Sequence, residues 1–145
     1  ILGDEGSGAV MGKCFLADCL KGLAPKELVE PFYNKYRIDE AEILDFVYTK
    51  ESPNKMLSVL SFFLAEHLEH EYVDKLVRDN FKLFFERNLL QYDFKNYPVR
   101  FVGSVAYIYS DVLKSTANVL DISIDEVKET SLQGLIQFHK AAINR

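Results

Sequence analysis

The segment Leu2-Gly3-Asp4-Glu5-Gly6-Ser7-Gly8 places two acidic residues between glycines, immediately before an apolar stretch. Over residues 9–20 the apolar side chains recur at helical spacing, which predicts that a helix follows the glycine-rich segment. Asp4, Glu5 or Ser7 could simply cap this helix and complement its dipole. Alternatively, the glycines let the backbone approach a ligand while the carboxylate of Asp4 accepts hydrogen bonds from the hydroxyls of a polyol. Spacing alone leaves both interpretations open.

The same glycines do not form a phosphate-binding fingerprint. A Walker A loop requires GxxxxGK[ST], but Gly12-Lys13 is followed here by Cys14, so the hydroxyl that binds magnesium is missing. The dinucleotide pattern GxGxxG fails as well, because Met11 stands where the third glycine is needed. The sequence therefore lacks both common nucleotide fingerprints in this region.

Composition sets the broad class. The chain has 145 residues, 48% of them hydrophobic, and a formal net charge of −5, which fits one compact domain. No dense run of Lys or Arg indicates nucleic-acid binding, and no apolar run approaches the roughly 20 residues of a membrane-spanning helix. Cys14 and Cys19 do not form a CxxC motif, and we expect structural thiols in a reducing cytoplasm. Because the chain begins at Ile1, without an initiator Met, we expect it to be part of a longer protein.

Hydrophobic periodicity predicts about five helices, followed by the order strand–helix–strand–helix. After the first helix, the sequence predicts a short helix between Pro25 and Pro31, a helix capped by Asp39, helices over 53–68 and 71–90, a strand over 98–102, a helix over 105–119, a strand over 122–127 and a helix over 131–144. Two strands are too few for a stable sheet, so we expect residues outside this chain to complete it.

Two further segments could approach a ligand. The strand over 98–102 runs into Gly103-Ser104 and then a helix, and ligands often bind beyond the carboxyl end of a strand, where glycine permits close approach. An ordinary turn that caps the next helix would look the same. At the start of the helix over 53–68, Lys55 could face a ligand or could be a solvated surface residue.

In this order, the segments 2–8 and 99–105 resemble the N-acetylglucosamine kinase and BadF-type (BadF-BadG-BcrA-BcrD) ATPase family of the actin-like ATPase superfamily. The resemblance covers the whole chain but only the second half of the family's pair of domains. It implies a helix-rich α/β fold, in which residues 1–145 form the C-terminal lobe of a ribonuclease H-like architecture with an incomplete sheet. The segment 130–135 resembles the family's final helix, where Gly134 is expected to allow close helix packing.

The resemblance also implies roles for individual residues. Asp4, next to Gly3, would bind the sugar. Gly103 and Ser104 would line the adenosine pocket, and the segment 53–57 would bring Lys55 and the backbone of Leu57 near the nucleotide. No catalytic residue and no metal ligand is assigned to this chain.

The activity implied for the parent enzyme is ATP-dependent phosphorylation of a sugar, with N-acetylglucosamine and its 6-hydroxyl as the expected acceptor and Mg²⁺ as the metal. The phosphate loops and the catalytic aspartate would belong to a missing N-terminal lobe, so the isolated chain is expected to be inactive. A homodimer is possible, and no nucleic-acid or membrane partner is expected.

Two alternatives remain open. A BadF-type relative would use ATP hydrolysis to activate a CoA-ester dehydratase through an iron–sulfur cluster, which needs thiolates at a subunit interface. Cys14 and Cys19 lie in one predicted helix and do not suit that arrangement. The second alternative is a non-catalytic helical interaction domain, in which the Gly-Asp loop is only a helix cap.

Overall fold

The structure, a computed structural model, describes residues 3–49 and 51–143 and divides the chain into two compact units, Ile1–Phe84 and Phe85–Arg145. The first unit is helical. Its helices are α1 (Gly8–Leu20), α2 (Lys26–Tyr36), α3 (Glu40–Thr49), α4 (Pro53–Glu66) and α5 (Glu71–Phe84).

The second unit supplies the strands of a helix-rich α/β chain. It consists of a π-helical turn (Phe85–Leu89), β1 (Val99–Val102), α6 (Ser104–Ile108), α7 (Ser110–Val119), β2 (Ile124–Lys128) and α8 (Leu132–Ile143). The two strands pair in parallel, as expected when helices connect them. The pairing shifts register after Val99, which lies opposite Ile124, while Arg100 lies opposite Glu126.

Local sequence signals explain where several helices begin. Asp39 accepts a hydrogen bond from the Glu42 N–H at 2.8 Å, and the Glu42 carboxylate accepts one from the Asp39 N–H at 2.9 Å. This reciprocal capping box confirms the predicted cap of α3. Pro53 occupies the first turn of α4, where its missing N–H costs nothing.

Several predicted boundaries were wrong. Pro31 does not end α2, which continues to Tyr36 because Leu28 and Phe32 bury one face of the helix on both sides of the proline. The helix predicted over 71–90 becomes a π-helical turn after Phe84, and the helix predicted over 105–119 is interrupted at Tyr109. The second strand begins at Ile124 rather than residue 122.

An aromatic triangle forms the core of the first unit. Phe15 of α1, Phe32 of α2 and Phe63 of α4 are fully buried, with ring centroids 5.2 to 5.6 Å apart. Each such pair contributes about 0.5–1.5 kcal/mol beyond the burial of its area. Because the three rings come from three helices, their packing fixes the frame that carries the glycine-rich segment.

The core of the second unit lies on the α7 side of the sheet. Tyr109, Leu113, Ala117 and Ile122 are buried there, and the Phe85 ring meets the Phe101 ring edge-on at 6.1 Å. In α8, a Cβ on Gly134 would meet no described atom within 4 Å. The close helix packing expected at this glycine is therefore not seen within residues 3–49 and 51–143.

Candidate functional site

The glycine-rich segment folds into a tight turn before α1. The Asp4 carbonyl accepts a hydrogen bond from the Ser7 N–H at 3.0 Å, and Gly6, the third residue of the turn, has a φ of +81°. This combination is that of a type II turn, which needs a positive φ at the third position and therefore favours glycine there. Asp4 and Glu5 thus lie at its first two positions.

Ser7 is the residue that caps α1. Its hydroxyl accepts a hydrogen bond from the Val10 N–H at 3.2 Å, the usual N-cap contact. Ser7, one of the three capping candidates considered from the sequence, is therefore the N-cap of α1. Asp4 is half-buried and Gly3 is exposed.

The side-chain amide of Asn80, in α5, makes two hydrogen bonds to the same turn. Its Oδ1 accepts a hydrogen bond from the Gly6 N–H at 3.2 Å, and its Nδ2 donates one to the Ser7 carbonyl at 3.3 Å. Sequence analysis missed Asn80. The available signal was a single amide on a helix face otherwise lined by buried apolar residues, namely Val73, Val77 and Phe81.

Glycines also let α1 lie close against α4. A Cβ on Gly8 would come within 2.8 Å of the Ser61 hydroxyl, and a Cβ on Gly12 would overlap the carbonyl oxygen of Leu57. Both glycines therefore have a packing role, which their spacing of four residues on one helix face could have indicated. The side chain of Leu57 is buried and its carbonyl faces α1.

Lys55 lies elsewhere in the first unit. It is exposed and lines a largely apolar cavity of about 580 Å³ between α2, α3 and α4. The other lining residues are Phe32, Tyr36, Ile38, Phe46, Glu51, Ser52, Met56, Val59 and Leu60. Gly3 and Asp4 are not among them, so the structure does not bring Lys55 and the Asp4 turn into one pocket.

In the second unit, Gly103 and Ser104 lie where the sequence predicted them, between the end of β1 and the start of α6. Gly103 has a φ of +147° and a ψ of 154°, a conformation that only glycine adopts easily. Its N–H donates to the Lys128 carbonyl at 2.9 Å, which ties the turn to the end of β2. A Cβ there would meet no described atom within 4 Å, and Ser104 is exposed.

The two thiols have different surroundings in α1. Cys14 is exposed and Cys19 is buried, and neither forms a disulfide. Burial, with a contribution from the nearby Asp18 carboxylate, raises the pKa of Cys19 to about 12. Partial desolvation of the Cys14 sulfur by neighbouring atoms, together with the Asp18 carboxylate, also raises the pKa of Cys14, although the residue as a whole is exposed. A raised pKa disfavours the thiolate, which is the form that binds metals and clusters.

The described residues contain no group of three His, Cys, Asp or Glu side chains placed to hold a metal ion. None of the described helices is long and apolar enough to cross a membrane. In α4 and the residue after it, the ring of His67 packs on the ring of Phe63, with centroids 4.3 Å apart, and the His67 Nδ1 lies 2.8 Å from the Phe63 carbonyl oxygen.

Comparison with known proteins connects this architecture to one family. No protein-family model and no curated protein matches the chain. The chain is similar to a crystal structure of a proposed N-acetylglucosamine kinase from Porphyromonas gingivalis, with 42% sequence identity and a TM-score of 0.92. The match covers 96% of this chain and 49% of that one, so the chain spans about half the length of the protein it matches.

Similarity of this extent identifies a helix-rich α/β chain of a kinase-like fold. This similarity supports the resemblance to the N-acetylglucosamine kinase family that the opening turn and the Gly103-Ser104 turn indicated.

Proposed function

We propose that the chain is the C-terminal lobe of an ATP-dependent sugar kinase with the ribonuclease H-like architecture of actin-like ATPases. The observation that carries this proposal is the 42% identity, at a TM-score of 0.92, to half of a proposed N-acetylglucosamine kinase. In this proposal residues 1–145 form one lobe, and an N-terminal lobe outside the chain completes the sheet and supplies the phosphate loops.

Within this lobe, Asp4 holds the sugar, with Gly3 beside it. The support is geometric: Asp4 is half-buried in a turn whose Gly6 N–H and Ser7 carbonyl are hydrogen-bonded to Asn80 and whose Ser7 hydroxyl caps α1. A carboxylate fixed before the ligand arrives loses less conformational entropy on binding, and its two oxygens can bridge neighbouring hydroxyls.

The nucleotide side of the site is proposed to include Gly103 and Ser104, which would line the adenosine pocket. The space beside Gly103 supports this role, because no described atom lies within 4 Å of the position that a Cβ would take there. Lys55 is also proposed to lie near the nucleotide, since this residue is exposed. Leu57 could contribute only its backbone, because its side chain is buried.

The reaction proposed for the full-length protein is transfer of the γ-phosphoryl group of ATP to the 6-hydroxyl of N-acetylglucosamine. Such transfer depends on positioning and on neutralisation of phosphate charge by Mg²⁺ bound with ATP. We place the metal ligands and the catalytic base outside this chain, and we expect the isolated chain to be inactive. The unpaired thiols are consistent with a cytoplasmic enzyme, and a homodimer stays a prediction.

The alternatives from the sequence make different predictions. An activator ATPase would need thiolates for its cluster, and the raised pKa values of Cys14 and Cys19 disfavour that use of these residues. A non-catalytic interaction domain would show no protection against heat by sugar or nucleotide.

The test is a coupled kinase assay on the full-length protein with a panel of N-acetylated sugars and the variant Asp4→Asn. The substitution removes the charge from a hydrogen-bond acceptor, which weakens sugar binding by about 1.5–3 kcal/mol. We therefore expect the sugar KM to rise roughly 10- to 100-fold, while the KM for ATP changes little.

The matched control is Asp121→Asn, because Asp121 is an exposed aspartate whose positive φ of 57° asparagine also accepts. An unchanged sugar KM in Asp4→Asn would remove Asp4 from the site. Absence of sugar phosphorylation by the full-length protein, with no thermal protection by sugar or ATP, would reject the kinase proposal itself.

A further inference from the structure

We propose that Asn80 is a positioning residue of the sugar site: it fixes the peptide between Glu5 and Gly6 and thereby orients Asp4. This inference rests on the sugar-binding role proposed for Asp4. Asn80 lies 73 to 74 residues along the chain from the atoms it holds, and it reaches them from another helix.

The peptide that Asn80 holds decides the type of turn. Type I and type II turns differ by a rotation of the peptide plane between the second and third residues, here Glu5 and Gly6. The Gly6 N–H belongs to that peptide, and it donates to the Asn80 Oδ1 at 3.2 Å. Since glycine tolerates both conformations, Gly6 alone does not select one. The hydrogen bond to Asn80 favours the type II form.

The amide group suits this position better than other side chains of similar size. The turn offers an N–H at Gly6 and a carbonyl at Ser7, so its partner must accept at one atom and donate at the other. An aspartate would accept from Gly6 but would set a second carboxylate oxygen against the Ser7 carbonyl. A leucine would fill the space but leave both backbone groups without these hydrogen bonds.

Burial supports the same conclusion. Asn80 is only 6% exposed and lies on a face of α5 whose other buried residues are Val73, Val77 and Phe81. A buried amide is unfavourable unless it is hydrogen-bonded, and both hydrogen bonds of this side chain go to the turn. The interaction with the turn therefore accounts for a polar residue in this apolar surface.

Two neighbouring contacts make α5 a firm support for Asn80. Four residues later, Phe84 lies beneath the turn, where a Cβ on Gly6 would come within 3.0 Å of its ring. Eight residues earlier, the Tyr72 hydroxyl donates to Asp18 of α1 at 2.7 Å. The helix is thus tied to α1 at one end and contacts the turn at the other.

The experiment compares Asn80→Ala with Val73→Ala in the full-length protein. Val73 is fully buried in the same helix, so its truncation also weakens the core but leaves the turn intact. We expect Asn80→Ala to raise the sugar KM roughly 10- to 100-fold, with the ATP KM within about twofold of wild type. Hydrogen exchange of the Gly6 amide should become faster in Asn80→Ala and stay unchanged in Val73→Ala.

A double-mutant cycle with Asp4→Asn tests whether Asn80 acts through Asp4. In the Asp4→Asn background, adding Asn80→Ala should change the sugar KM by less than about threefold, because the oriented carboxylate is already gone. If Asn80→Ala does not fold, Asn80→Ser, which keeps a hydroxyl near the turn, takes its place in every comparison.

The inference is overturned if the Asn80 variant and Val73→Ala shift the sugar KM equally, if the Gly6 amide stays protected, or if the two mutations act independently. Failure of the proposed function looks different. A full-length protein without sugar kinase activity, or an Asp4→Asn variant with a normal sugar KM, rejects the role of Asp4, whereas Gly6 exchange still reports whether Asn80 holds the turn.

Discussion

In the first unit, the turn at Asp4 is held by the side chain of Asn80 and lies next to Phe84. In the second unit, by contrast, Gly103 directly follows β1, and its N–H donates a hydrogen bond to the backbone carbonyl of Lys128. Glycine is required in both regions, but for different reasons. In the first, Gly6 has a positive φ and also lies against Phe84, and Gly8 and Gly12 are needed because neighbouring atoms fill the space of a side chain. In the second, the space is open and the backbone angle imposes glycine.

The difference shows how each region could bind a ligand. A turn that is hydrogen-bonded to Asn80 and packed against Phe84 keeps its backbone in one conformation. A glycine with open space beside it leaves its backbone accessible to an approaching ligand. Under the proposed function, the first arrangement would serve recognition of sugar hydroxyls by Asp4, and the second would serve close approach of the nucleotide to the backbone.

The largest effect is expected for Gly12→Ala. The new Cβ would overlap the Leu57 carbonyl oxygen, which belongs to the backbone of α4 and cannot rotate away. The two helices would have to separate, and we expect a loss of about 3 kcal/mol in the free energy of unfolding, measured by urea denaturation. Gly134→Ala serves as the control, because its Cβ meets no described atom within 4 Å.

A loss below about 1 kcal/mol in Gly12→Ala would contradict the packing role of this glycine, since overpacking a close helix contact typically costs about 1–3 kcal/mol. The steric requirement for glycine at the contact between α1 and α4 would then rest on Gly8 alone.

A smaller effect is expected for Gly103→Ala. Here the added methyl group has room, but the residue must adopt a φ of +147°, which costs an alanine about 1–3 kcal/mol. We expect a loss in that range by urea denaturation. If Gly103→Ala is as stable as wild type, the backbone of this turn can relax, and the conformational reason for the glycine is wrong.

Local signals predicted the first region well, up to the point where distant residues act. The sequence predicted the first helix, the Asp39 cap and the position of the glycine turn, because each depends on residues close in the chain. It did not predict that Asn80 holds the turn, since that contact spans more than seventy residues. The roles of Asp4, Gly103 and Ser104 came from resemblance and stay predictions.

The errors in helix boundaries have the same physical origin. Pro31 was expected to end a helix, because proline removes a backbone donor, but burial of Leu28 and Phe32 keeps α2 intact. No proline or glycine in the sequence marks the π-helical turn at Phe85–Leu89 or the break at Tyr109. Tertiary packing overrides propensity at these positions.

The smallest effect is expected for Gly134→Ala, and its sign is informative. Within α8, alanine is preferred to glycine by about 0.5–1 kcal/mol, and no described atom lies near the new methyl group. We therefore expect the isolated chain to gain stability by that amount in urea denaturation. If the gain becomes a loss in the full-length protein, Gly134 packs against a segment outside this chain. Glycine would then be required at this position for lack of space, as it is at Gly12. If the gain persists, Gly134 has no packing role, and the close contact expected from the family resemblance is wrong.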